Sequence, residues 1–556
     1  MSGIDPRTLC ALVVLGDRAA LAGPDQRVEG SLERLLPLLS ALERDAAPRW
    51  VWWDAHGTAA PLVARGLRPA RCWDIAEAHR LLVGGARADP AAAVAVSRGL
   101  PVPDPLPVRA DGDLFDFVDR ERVPSVGPPA DGSSLLPWAD LAMDTARRQA
   151  ERLATLSPRA VTTATSESAA GLLAVELEAD GLPIDRPVLE ELVAAAAGPR
   201  PVDDAQATAI RGRRDEDVLR HVPGRASTDL RNPVQVRELL AAVGVVVPDT
   251  RAWRLEPFRA VHPVVEALLA WRKAERIATT YGYAWMRDHI GPDDRLRGAW
   301  TSCDGAAGRM TAQSGLHNLP APLRPAVAAH PGHVLVRADL GQIEPRVLAA
   351  VSGDRRFAEA AAADDLYAPV AAALGVERPV AKVAVLAAMY GQTSGPAGEA
   401  LKRLERSYPT AMAYLQGAYD AGTRGRAVRT FGGRRVPTRP GDVAVEVSDG
   451  IPEDLPAGVR AARGRFARNA VIQGAAAELF KAWAATVRAA LPALDAQIVL
   501  CLHDELLLHV PAARAADAVD AVGGSLTASA RRWTGSDSVR FVADTKVIQR
   551  WSEAKD

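Results

Sequence analysis

HVLVRADLGQIEPRVLAAVSGD, residues 333–354, changes its period partway along. Up to Leu340 it is a short apolar run of the kind that forms a buried strand; from Gln342 to Val351 the apolar residues recur at helical spacing. Pro345 sits near the start of that helix, where a missing N–H costs little. The reading is a strand that ends at Asp339 and turns directly into a helix. A carboxylate at such a junction suits a metal or phosphate site, but taken alone an acid there is more often a helix cap.

The same alternation organises the rest of the chain. Strand-like runs recur at 497–502 (QIVLCL) and 539–548 (VRFVADTKVI), with long helical stretches over 342–428 and 458–492. Residues 1–83 mix apolar runs (ALVVL at 11–15, WVWW at 50–53) with the helical pattern LERLLPLLSALERD. Residues 84–137, rich in Pro, Gly and Asp, read as loop, and Trp138 to about Ile290 reads as helical. The expected fold class is mixed: a small α/β domain followed by a larger α+β domain.

A chain of 556 residues has room for three or four domains. With 48% hydrophobic and 24% charged residues it is neither disordered nor fibrous. Cys10, Cys72, Cys303 and Cys501 show no C-x-x-C spacing, which argues against a disulfide framework or a thiolate zinc site. The N-terminus lacks a basic leader and a membrane-length apolar run, so a soluble, cytoplasmic protein is expected. Net charge is −1, which excludes a globally basic nucleic-acid binder but leaves room for a local basic cleft. Of the 67 basic residues 61 are arginine, as GC-rich coding favours. The few lysines retained therefore draw notice wherever a titratable ammonium would be useful, although chance survival on the surface accounts for most of them.

Two further segments carry chemistry. In ERPVAKVAVLAAMYGQTSG (377–395), Arg378, Lys382, Leu386 and Tyr390 stand four apart and share one face of a helix. Two cations with an aromatic beyond them could grip a polyphosphate and stack a base, or could form a solvated edge. In IVLCLHDELLLHVP (498–511), two apolar runs flank His503, Asp504 and Glu505, a hairpin with acids at its turn. Carboxylates concentrated in this way suit Mg²⁺, which prefers oxygen ligands.

Together these segments resemble motifs A, B and C of family A DNA polymerases. DLGQIE matches D-x-S-Q-I-E with Gly341 in place of Ser, RPVAKVAVLAAMYG matches R-x3-K-x7-Y-G, and HDE matches the last motif directly. GRMTAQSGLHNLP (308–320), AVRTFGGRR (427–435) and RFARNAVIQGAAAELFK (465–481) resemble the family's intervening segments, in order. The resemblance covers about residues 165–556 and implies a right-hand polymerase: an antiparallel palm sheet with helical fingers and thumb. The implied boundaries are thumb 161–295, palm 296–345 and 456–556, and fingers 346–455.

The resemblance also implies roles. Asp339 and Asp504, with Leu340, would hold two Mg²⁺ ions, with Mn²⁺ able to substitute; Glu505 would support them. Lys382 would contact the triphosphate and protonate the leaving pyrophosphate. Arg378, His503, Gln342, Leu386 and Tyr390 would face the nucleotide, and Glu344 would block a 2′-hydroxyl. Arg309, Asn318, Arg465, Asn469, Gln473, Arg434 and Arg435 would touch primer-template DNA. The implied protein is a monomer of the bacterial nucleoid, with dNTPs and DNA as partners and no membrane. Two departures stand out: Leu386 replaces the Phe or Tyr beside the incoming sugar, and Tyr367 replaces a His.

Residues 1–160 resemble the 3′–5′ exonuclease domain that often precedes the thumb. WVWWDAHG offers Asp54 and WADLAMDTARRQ offers Asp144, but Asp140 stands where a Tyr belongs, and Asp17 has no following Glu. Two of four acids cannot hold two divalent ions well, so this site reads as degenerate. Four rivals remain: a bifunctional enzyme with active proofreading, a phage-type RNA polymerase, a true exonuclease whose polymerase half mainly grips DNA, and a noncatalytic DNA-binding scaffold.

Overall fold

The computed structural model describes residues 9–85, 87–103, 127–129, 132–313, 315–391, 397–438, 455–502 and 504–555. The strand Leu9–Leu15 pairs antiparallel with Arg18–Ala22, which pairs with Arg27–Ser31. On its other edge it runs parallel to Arg49–Trp52 and then Arg71–Asp74. Successive side chains of a strand face opposite ways. Accordingly Leu9, Ala11 and Val13 enter one apolar cluster and Cys10 and Leu12 the other. Helices Ala55–Val63, Ile75–Val83, Leu136–Leu156 and Pro158–Asp180 supply the covering faces. Ser31, Asp54 and Asp74 cap the helices that follow their strands.

A second sheet has the strand order Gln497–Leu502, Glu505–Pro511, His333–Gly341, Val542–Ile548. The first two form the expected antiparallel hairpin, with Leu502 opposite Glu505. The long helical stretch after Gly341 is broken into pieces. Gly353 and Gly391 take left-handed conformations that end helices Ile343–Ser352 and Arg378–Tyr390. Those helices pack with Tyr367–Leu374 and Pro409–Thr423 around Leu348, Phe357, Val370, Met389 and Leu415. The helix Ala457–Ala490 runs uninterrupted for 34 residues.

These elements belong to one compact unit, comprising residues 1–180, 299–313 and 336–547. A second unit comprises 181–298, 314–335 and 548–556. Its core is Val218, Leu239, Leu240, Val264, Leu268 and Trp271, from helices Asp204–Leu219, Pro233–Ala241 and Pro263–Thr280. A boundary between the two units thus falls at Gly181, twenty residues beyond the expected start of the thumb at 161. The helix Pro158–Asp180 is buried along its length against the strand Arg71–Asp74 and the helix Ala457–Ala490, because apolar and small residues surround it on most sides. All four cysteines are free. No helix among the described residues is long and apolar enough to cross a membrane.

Candidate active site

The strand His333–Gly341 carries Asp339, and the neighbouring hairpin turn carries Asp504. The Leu340 N–H donates to the Asp504 carbonyl at 2.8 Å, which pins the turn beside the strand end. Both carboxyl groups are partly buried. Burial, then the fields of Asp339 and Glu505, pushes Asp504 up to about 6. Asp339 is also raised, chiefly by burial, while the guanidinium of Arg337 pulls it the other way. Acids that disfavour one another's ionisation hold charge that a hard cation would relieve, and carboxylate oxygens are the donors such cations prefer. The donor set fits divalent ions.

Arg337 is the residue that sequence reading missed here. Its guanidinium bonds Asp339, donates to Glu505 at 3.1 Å and lies 3.6 Å from Asp544. A charge inside the otherwise apolar run HVLVRAD was the available signal.

A cavity of about 260 Å³ adjoins these acids. Arg309, Gln342, Glu344, Tyr367, Leu386, Tyr390, Gln473 and Asp504 are among its walls. Glu344 accepts from Arg309 at 3.0 Å and from the Tyr390 hydroxyl at 3.1 Å, so its carboxylate is braced from two sides. The expected face of the helix Arg378–Tyr390 is the outer one: Arg378, Lys382 and Tyr390 are exposed and Leu386 half-buried. Lys382 has no ion-pair partner among the described residues, whereas Arg378 is held by Asp365 at 2.6 and 3.1 Å. On the helix Ala457–Ala490, Arg465 is exposed and Asn469 and Gln473 are half-buried, at successive four-residue steps along one face.

Gln342 is fully engaged within the protein. Its amide nitrogen donates to Asp365 at 2.7 Å, and its oxygen accepts from Leu366 N–H at 2.9 Å. It is thus a brace between two segments of the wall of the cavity it lines. The fully buried Arg346 supports the same wall, donating to the carbonyls of Ala361 and Ala363 at 2.8 and 2.9 Å. At Gly341, the Ser position of the motif, a Cβ would stand 3.2 Å from Val542 Cγ2, so a larger residue there needs a small shift of Val542.

The structure corrects the reading of Arg434. It was read as a DNA contact, yet it is 2% exposed, with Nη2 2.5 Å from Glu167 and Nη1 3.1 Å from Cys303 Sγ. Lys481, fully buried, meets the same Glu167 oxygen at 2.6 Å. Arg435 donates to the Val83 carbonyl at 2.9 Å. Asn318 lies exposed in the second unit, where its carbonyl accepts from Arg276 and from the Tyr281 hydroxyl. His503 lies outside the described residues.

Glu77, Glu167 and Cys303 have ligand atoms all within 4.8 Å of one another. Arg434 and Lys481 already supply positive charge to that group, so it reads as an internal ion network. Asp339, Asp504 and Glu505 are spread more widely, with Arg337 bonded to two of them. In the N-terminal sheet, Asp54 accepts from Gly57 N–H at 2.7 Å as a helix cap. Asp144 is bound by Arg98 and Arg148, and Asp140 by Arg27. Trp53 and Trp138 stack at 4.4 Å between ring centroids. Neither Asp54 nor Asp144 belongs to a metal-sized group of ligands among the described residues.

The fold is similar to that of the solved structure described as the POL domain of Pol1 from M. smegmatis in complex with DNA primer-template and dNTP. That comparison has a TM-score of 0.69 and 21% identity, covering 98% of this chain and 95% of the other. Residues 229–553 match the model for DNA polymerase family A, and the chain belongs to that family. Family A DNA polymerases use divalent metal ions. The chain is 32% identical over 303 residues to the thermostable DNA polymerase I of Thermus filiformis, covering 49% of this chain. It is 30% identical over 290 residues to DNA polymerase I of Chloroflexus aurantiacus, covering 46%. The matched regions span about a third of those relatives, 34% and 29% of their lengths.

Proposed function

We propose that this chain is a DNA-templated DNA polymerase, adding deoxynucleotides from dNTPs to a primer 3′-hydroxyl in repair or replication gap filling. The observation that carries this reading is the pairing of Asp339 and Asp504 on adjacent backbone segments beside a cavity walled by Glu344, Leu386 and Tyr390.

Asp339 and Asp504, with the Leu340 carbonyl, would hold two Mg²⁺ ions, for which Mn²⁺ can substitute. Bound there, such ions favour the ionised primer hydroxyl and neutralise the triphosphate. Glu505 supports the pair. Lys382 Nζ, exposed and without an acid partner among the described residues, binds the triphosphate and gives a proton to the departing pyrophosphate oxygen, which a guanidinium could not do usefully. Arg378 reaches phosphate on exchanging Asp365 for it, and His503 adds a further contact. Glu344, braced by Arg309 and Tyr390, closes the space that a 2′-hydroxyl would need. Arg465, Asn469 and Gln473 follow the primer-template along one helix face, and Asn318 and Arg435 add DNA contacts.

The thumb in this reading is 181–298, and residues 1–180 act as a scaffold without proofreading. The protein works as a monomer in the bacterial cytoplasm. The test is a 5′-labelled primer on a longer template with Mg²⁺, with and without dNTPs. Extension that needs dNTPs and is lost in Asp504→Ala supports the reading. Salt-sensitive DNA binding without extension would replace it with a scaffold role, and preferential rNTP use with an RNA polymerase.

A further inference from the structure

We propose that Arg337 is an internal counter-ion of the catalytic acids that weakens divalent-cation uptake by the DNA-free protein, and that Asp544 receives its guanidinium when a cation arrives. The inference rests on the reading of Asp339 and Asp504 as cation ligands. Arg337 precedes Asp339 by two residues on one strand, so both side chains leave on the same face. Its side chain is 6% exposed and its strand neighbours Leu335, Val336 and Ala338 are buried. A buried cation is costly unless paired, and here every acid that pairs it belongs to the cluster or its rim.

Nη2 occupies Asp339 Oδ2 and Glu505 Oε2 together. A cation approaching Asp339 must therefore compete for that oxygen or use the other. Three carboxylates, Asp339, Glu505 and Asp544, face one guanidinium, so Arg337 lowers the formal charge of that group from −3 to −2. Asp544 lies on the opposite side of the exchange: its side chain is 65% exposed, 3.6 Å from Nη1, with no other ion-pair partner among the described residues. Arg337 Nε is buried without an acceptor, so the present arrangement does not satisfy the whole guanidinium. Release from Asp339 can thus proceed toward Asp544 without leaving the cation unpaired.

The test is Mn²⁺ binding to the full chain without DNA or nucleotide, read by electron paramagnetic resonance of the free ion at fixed pH. Arg337→Gln removes the charge while keeping a polar side chain. A unit charge a few ångströms from a divalent ion is worth about tenfold in affinity even in a water-like dielectric. We expect Arg337→Gln to bind Mn²⁺ about tenfold more tightly, Arg337→Lys to stay within about threefold of wild type, and Asp544→Asn to bind several-fold more weakly. A structural role alone would give unchanged or weaker binding in Arg337→Gln with native circular dichroism, and that result overturns the proposal. Should Arg337→Gln not fold, unchanged affinity in Asp544→Asn overturns it instead. Asp339→Asn separates the two layers of argument. If it leaves Mn²⁺ binding intact, the cation-site reading fails. If it abolishes binding while Arg337→Gln fails to tighten it, only the counter-ion inference fails.

Discussion

Replacing Glu167 by glutamine should cost the fold more than replacing Lys481 by methionine, although the two side chains are partners. Glu167, Lys481 and Arg434 have 1%, 0% and 3% exposed side chains, and both cations converge on one carboxylate oxygen at 2.6 and 2.5 Å. Removing one partner of a buried pair costs about 3–5 kcal/mol because the other charge is left unmatched. Glu167→Gln leaves two unmatched cations, which puts it at the upper end, about 5 kcal/mol. Lys481→Met leaves Arg434 and Glu167 as a matched pair and fills the ammonium's path with an apolar chain, for a cost of about 1–2 kcal/mol. Glu478 moderates the first value. Burial pushes its carboxyl up to about 7, and its ionisation would answer part of the excess positive charge. Urea unfolding at pH 7, followed by far-UV circular dichroism and by tryptophan fluorescence, reports the order; Trp483 is buried on the same helix as Lys481. The reasoning is refuted if Lys481→Met costs as much as Glu167→Gln, since the cations would then not be sharing a single acid.

Other expectations follow from the site. Asp504 must be ionised to ligate a cation and its carboxyl is pushed up to about 6, so at limiting Mg²⁺ primer extension should fall about tenfold for each pH unit below that value. A flat profile between pH 5 and 7 would contradict it. Leu386→Tyr should raise dideoxynucleotide use relative to dNTPs by about tenfold, roughly one hydrogen bond's worth, because the phenol can replace a missing 3′-hydroxyl; competitive incorporation assays measure the ratio. Primer shortening without dNTPs should be negligible and unaffected by Asp54→Ala or Asp144→Ala. Shortening that Asp54→Ala removes would restore a working nuclease.

The local motifs were readable because their physics is local. The strand at 333 and the hairpin at 498 announce themselves by apolar runs, and the face shared by Arg378, Lys382 and Tyr390 follows from helical spacing alone. Arg434 could not be read in this way. In GGRR it looks like a solvated loop cation, and the acid that buries it, Glu167, lies far off in the unremarkable helical run TTATSESAAGLL. Lys481 could be noticed only as a rare lysine; its burial depends on the same distant partner. The bracing of Gln342 could not be read either, because its partners Asp365 and Leu366 lie more than twenty residues along the chain. The boundary between units at Asp180 has no local signal, since the helices on either side of it have similar patterns and only packing separates them.

Gln342 also carries a constraint on how this protein can change over time. Its backbone sits at φ 57°, a left-handed conformation in which glycine is most at ease and asparagine is tolerated. Its side chain needs the reach of a glutamine to join Asp365 and Leu366. Glycine relieves the backbone and severs the link, asparagine suits the backbone but is one methylene short, and glutamate has the reach but no N–H for Asp365. Drift at this position therefore has to pass through a compensating change at Asp365 or in the following turn, which makes 342 and 365 a pair expected to vary together among lineages.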